Sequence, residues 1–161
     1  MPNMINLVGL EGEVPDAWGV QGMLTLTLPS PDKNIRPNVI LTKEYFPKEV
    51  DLNEYFERMK ESILKRGIKD LKITDEREIV ISGVKGKMMI CSWDVSAMAS
   101  VLGKENEQLK NISPGQVVKQ VQITLIKGAL VINMTASFPG DKFEIYYRPF
   151  QQFLKSLKIT A

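Results

Sequence analysis

Apolar and polar residues alternate along Met23-Leu24-Thr25-Leu26-Thr27-Leu28, a period of two that predicts a half-buried strand. Val14-Pro15-Asp16-Ala17-Trp18 reads as the turn leading into it, and Pro29-Ser30-Pro31-Asp32-Lys33-Asn34 as the loop that ends it. A second, β-branched strand is expected over Asn38-Val39-Ile40-Leu41-Thr42-Lys43. The period then changes. Leu52, Tyr55, Phe56, Met59 and Ile63 recur at helical spacing, with Glu54, Glu57, Arg58, Lys60, Glu61 and Lys65 on the other face. Asp51 is placed to cap this helix, Glu54 three residues on makes a variant capping box, and Gly67 suits the position just past its end.

Leu71–Thr74 and Arg77–Ile81 predict short strands, Gly83 to Gly86 a turn, and Lys87–Val95 a further strand. Gln116–Lys127, the turn at Gly128, and Leu130–Ser137 read as a long hairpin. Phe143, Tyr146, Tyr147, Phe150, Phe153, Leu154 and Leu157 return to helical spacing. Pro149 lacks an amide hydrogen and clashes with a preceding turn, so this helix is expected to begin near Arg148, after a turn-like lead-in. The order predicts one α+β domain over residues 1–161: an antiparallel sheet with two main helices packed on one face. The link from Ser96 to Gly115 is long for a hairpin connection, and Ala97–Leu102 and Glu105–Leu109 are its candidate short helices.

Helices gathered on one face leave the other to water or to a partner. Leu24, Leu26 and Leu28 point one way, Met23, Thr25 and Thr27 the other. In the hairpin, Val121, Ile123 and Leu125 oppose Val118, Gln120, Gln122 and Thr124, and Asn133 stands among Val131, Thr135 and Ser137. The all-apolar sets belong against the helices. The second set is nearly uncharged and combines methionine and valine with amides and hydroxyls. Such a surface can bury an apolar ligand while still offering hydrogen bonds. Met23, Thr25, Thr27, Val118, Gln120, Gln122, Thr124 and Asn133 are therefore the candidate partner-binding residues.

Composition narrows the chemistry. Charged residues make up 25% and the net charge is +2, with no basic run of the kind a nucleic-acid binder concentrates. There is no histidine and one cysteine, Cys91, so His-dependent catalysis, thiolate metal clusters and an intrachain disulfide are all excluded. Cys91 lies in the apolar run Met88-Met89-Ile90-Cys91 and reads as a buried small hydrophobe. Asp75, Glu76 and Glu78, like Glu105 and Glu107, sit in polar settings that suit solvated charge better than acid–base work. Asp94 reads as a strand-end charge, and Gly83-Val84-Lys85-Gly86-Lys87 lacks phosphate-loop spacing. Trp18 and Trp93 are expected in the core. No catalytic residue, metal site or cofactor is expected, hence no enzyme. The N-terminus has no secretory signal pattern and no window is long and apolar enough to span a membrane, which gives a cytoplasmic expectation.

The joint pattern of Val14-Pro15-Asp16-Ala17-Trp18, a helix beginning near Asp51-Leu52, and the closing Pro149-Phe150 and Phe153-Leu154-Lys155-Ser156-Leu157 resembles the DcrB-like family. The likeness runs from about Glu11 to Ile159. It implies the PsbP-like fold, a curved antiparallel sheet with helices on one side. Its cytoplasmic branch includes the Eag chaperones of type VI secretion effectors. That branch implies a homodimer whose concave sheet shelters the transmembrane helices of a toxin before export, with no nucleic acid and no stable membrane insertion. By position the resemblance places Met23 on the sheltering face and offers Gln120 and Gln122 from the hairpin. The long Ser96 to Gly115 link departs from the family pattern. The alternatives are a PsbP-like accessory or envelope subunit docking on a protein complex and, more remotely, a Ran-binding Mog-type module.

Overall fold

A computed structural model describes residues 3–7, 10–18, 21–31, 35–68, 70–94 and 116–159. The strands are β1 (Asn3–Leu7), β2 (Leu10–Val14), β3 (Gly22–Thr27), β4 (Asn38–Tyr45), β5 (Lys72–Ile81), β6 (Val84–Asp94), β7 (Val117–Lys127) and β8 (Leu130–Pro139). The helices are α1 (Leu52–Lys65) and α2 (Phe143–Ser156), the second entered through a 3-10 turn at Gly140–Lys142. β1 and β2 pair as a small separate sheet, and the other six strands form one antiparallel sheet in the order β3-β4-β8-β7-β6-β5. The fold class is α+β, as the pattern implies. The two pairing strands at Asn3–Val14 were not legible, because asparagine, glycine and glutamate argue against strands unless a partner strand is present.

Register carries each face across the sheet. On one face Leu24, Leu41, Met134, Ile123 and Met88 form a row, and Leu26, Val39, Ala136, Val121 and Ile90 the next. α2 packs here through Phe143, Tyr146 and Phe150. The ring of Phe138, fully buried, lies 6.0, 5.9 and 5.8 Å from those three rings, within the range of favourable aromatic pairs. On the opposite face Met89, Cys91, Trp93 and Val118 pack with Phe56 and Ile63 of α1.

The helices therefore divide between the two faces, which corrects the expectation of both on one. The reason lies in β6. Met88 and Ile90 point one way and Met89, Cys91 and Trp93 the other, so that strand is apolar on both sides and each side needs its own cover. Lys60 also ties α1 to β5, with its Nζ 3.2 Å from a carboxylate oxygen of Glu76 as well as of Glu57.

Local signals mostly held at the α1 ends. Asp51 Oδ1 accepts from the Glu54 amide at 2.8 Å, while the Glu54 side chain pairs with Arg58 instead of closing a capping box. Four expectations were displaced. α2 starts at Phe143, because Pro149 lies on its exposed side and the turn at Ile145, which loses a bond to it, faces water. β5 is one strand, with a register irregularity between Ile73 and Asp75. The β5–β6 turn is Ser82–Gly83, both at positive φ as a type I′ hairpin needs, and Gly86 is buried inside β6. Trp18 is 67% exposed, whereas Trp93 is in the core. The Ser96 to Gly115 link, with Ala97–Leu102 and Glu105–Leu109, lies outside the described residues.

Candidate functional site

The face under α1 holds three consecutive rows, each crossing β3, β4, β8 and β7. They are Met23–Thr42–Asn133–Thr124, Thr25–Ile40–Thr135–Gln122 and Thr27–Asn38–Ser137–Gln120. No position in these rows is charged. Strand alternation produces the pattern, since the leucines and valines between them are spent on the α2 face. Exposure rises steadily outward, from Thr124 at 0% and Gln122 at 9% to Met23 at 69%. α1 covers the β7 end of the rows and leaves the β4 and β3 end open.

The covered end is knitted by side-chain hydrogen bonds. Gln120 donates to Ser137 Oγ at 3.0 Å, Gln122 donates to Gln120 Oε1, and Thr135 donates to Gln122 Oε1 at 2.9 Å. Nearby, Thr124 donates to Asn133 Oδ1 at 2.7 Å and Asn133 donates to the Tyr55 hydroxyl at 2.7 Å, linking the sheet to α1. Methionine sulfur of Met59 lies 3.6 Å from the same Thr124 hydroxyl. A groove of about 410 Å3 runs beside α1, lined by Tyr55, Arg58, Met59, Ser62 and Arg66 on the helix and by Gln120, Gln122 and Thr135 on the sheet. It lies within the volume range of ligand-binding clefts.

The eight candidate residues thus share one face, but they differ in access. Met23, Thr25 and Thr27 are exposed, and Gln120 and Asn133 are half-buried. Val118, Gln122 and Thr124 are buried, Val118 within the α1 cluster, so a partner resting on the surface does not meet them freely. That is a correction to their reading as open positions, and α1 is its cause. Sequence reasoning missed Tyr55, Arg58, Ser62 and Arg66 because the helix was expected on the far face. It also missed Ile40 and Thr42, which complete the outer rows.

Among the described residues no group of three or more His, Cys, Asp or Glu side chains could hold a metal ion. Cys91 is buried, its thiol 3.8 Å from the Gln120 carbonyl oxygen, and burial pushes its pKa up to about 11. Asp75 pairs with Arg77 and Glu76 with Lys60, and Glu78, the third carboxylate of that cluster, is exposed on β5; Glu105 and Glu107 lie outside the described residues. No helix among the described residues is long and apolar enough to cross a membrane.

No protein-family model matches this chain, and no curated protein matches its sequence. Solved structures do match in fold. PA94 from Pseudomonas aeruginosa, described as a protein of unknown function and a candidate regulator, is 16% identical with a TM-score of 0.72, over 99% of this chain and 98% of that one. LpqN, described as involved in cell envelope biogenesis of Mycobacterium tuberculosis, is 15% identical with a TM-score of 0.51, over 89% of this chain and 86% of that one. At such identities the likeness is one of fold, and it reaches from end to end of PA94.

Proposed function

We propose that this protein is a cytoplasmic chaperone or adaptor that holds apolar helices of a secreted protein on the uncharged sheet face beside α1, acting by binding and without catalysis. The observation that carries this reading is the set of three uncharged rows, bare at Met23, Thr25 and Thr27 and amide-lined toward Gln120. A transmembrane helix in water needs its apolar side chains covered and its polar groups matched. The exposed Met23 with the half-buried Ile40 supplies the first and Gln120, Thr135 and Ser137 the second. The resemblance to the Eag branch of the DcrB-like family makes the guest a type VI secretion effector and the working form a homodimer. The shared fold with PA94 is compatible with this reading.

The test is co-expression with a membrane-inserting effector carrying N-terminal apolar segments. The wild-type chain keeps the effector soluble and co-purifies with it. Thr25→Glu and Thr27→Lys put charge into the exposed rows, leave the circular dichroism spectrum unchanged, and lose capture at least tenfold. Capture by these variants equal to wild type, or an effector that stays soluble and exportable without this protein, refutes the reading. A second reading, docking on an envelope complex, draws on the fold shared with LpqN. It expects capture of a folded protein complex and no capture of isolated apolar helices.

A further inference from the structure

The α2 face of the sheet carries a second cavity, of about 300 Å3, which meets the helix-holding surface only at its rim, through Met23 and Thr42. Its floor includes Leu24, Leu41 and Ile132, and its wall is the chain following α2, at Leu157 and Ile159. All five are only half-buried, although they stand on the face that forms the main core. The wall is held in place by the Ile159 amide, which donates to Ser82 Oγ at 3.2 Å. Two cations, Lys43 and Lys158, complete the lining. Neither has a carboxylate partner among the described residues, and Lys43 Nζ instead sits 5.4 Å from the centre of the Tyr45 ring. Gly22, paired with Lys43 in the register, adds open space: a Cβ built there meets nothing within 4 Å.

We propose that this cavity is a binding site for a medium-chain fatty acid, its aliphatic chain against the leucines and its carboxylate on Lys43 and Lys158. Apolar walls select a hydrocarbon, and two ammonium groups without a carboxylate partner select an anion, so one ligand must carry both. Volume sets the size. About 300 Å3 is at the lower end of ligand clefts, which suits one alkyl chain of medium length and is too small for a two-chain phospholipid. Met23 and Thr42 of the outer uncharged row reach the rim of this cavity, whereas Thr25 and Thr27, whose charged variants test the helix-holding surface, do not line it, so either reading can fail without the other.

The experiment is calorimetric titration of the full chain with decanoate below its micellar concentration, beside octanoate, decanol and phosphatidylglycerol vesicles. Decanoate binds at one per chain. Octanoate, two methylenes shorter, binds about fifteenfold more weakly, from roughly a fourfold loss per methylene. Decanol binds at least tenfold more weakly than decanoate, and the Lys43→Gln/Lys158→Gln double variant brings decanoate down to the decanol value while leaving decanol unchanged. Gly22→Leu fills the space and abolishes binding of both, its fold checked by circular dichroism and its melting temperature; should it fail to fold, the lysine variant and the chain-length series decide. Absence of decanoate binding, equal binding of decanoate and decanol, or binding of vesicles without decanoate each overturns the proposal.

Discussion

Replacing Gln122 by alanine tests whether the amides beneath α1 form a closed network or a wet surface. Gln122 is 9% exposed, donates to Gln120 and accepts from Thr135 at 2.9 Å. Each bond contributes about 1 kcal/mol net, and the lost methylene about 0.8 kcal/mol more, so Gln122→Ala should cost about 3 kcal/mol. Gln120→Ala removes the same shared bond and strands the buried Gln122 amide, at about 2 kcal/mol. The double variant should cost less than the sum of the two by about 1 kcal/mol or more, because no amide is then left without its partner. Urea unfolding followed by the fluorescence of buried Trp93 and by circular dichroism measures all three. Strict additivity, or a cost below about 0.5 kcal/mol for Gln122→Ala, would mean that water already fills this region. A Gln120→Met/Gln122→Met variant keeps the volume and removes both amides together, leaving the half-buried Thr135 and Ser137 hydroxyls to water. It should fold nearly as well as wild type, which separates a structural need for the amides from a need imposed by a guest.

Other expectations follow from the same geometry. Phe56→Ala and Phe150→Ala should each cost about 3–5 kcal/mol in denaturant unfolding, since each ring is buried and each anchors a different helix to its own face; a loss confined to Phe150→Ala would remove α1 from the sheet. Gly86→Ala should fail to reach the soluble folded state or lose well over about 2 kcal/mol. Its Cβ would lie 2.4 Å from both Leu125 Cδ2 and the Thr124 carbonyl oxygen, and the second is backbone of the neighbouring strand. Cys91 is neutral in the folded chain up to about pH 11 but ionises from about pH 9 when unfolded, so the unfolded state binds fewer protons in that window. Stability should fall by about 2–3 kcal/mol between those pH values, and a Cys91→Ala chain should lack that part of the alkaline slope.

How much of the site was legible depends on which side of each strand a partner occupies. The alternation at Met23–Leu28 correctly assigned Met23, Thr25 and Thr27 to a face different from that of the leucines, and it did so because a strand's side-chain period is fixed by covalent geometry. The same rule grouped Gln120, Gln122 and Thr124. It said nothing about what lies above them. The uninterrupted run Met88-Met89-Ile90-Cys91 was the signal that the central sheet is apolar on both faces. A strand apolar on both sides needs a cover on each, although it does not say which helix takes which face.

The sequence alone determined the types of the elements from β3 through β8 and of both helices, the α1 cap at Asp51, the turn glycines at Gly83 and Gly128, and the absence of histidine chemistry, because each rests on local stereochemistry or on composition. Tertiary structure alone decided that α1 lies over Gln122 and Thr124, that Pro149 is carried within α2, and that Lys43 and Lys158 meet around one apolar cavity. Those outcomes depend on contacts between segments distant in the chain. Periodicity records which way a side chain points, and only packing determines what it meets there.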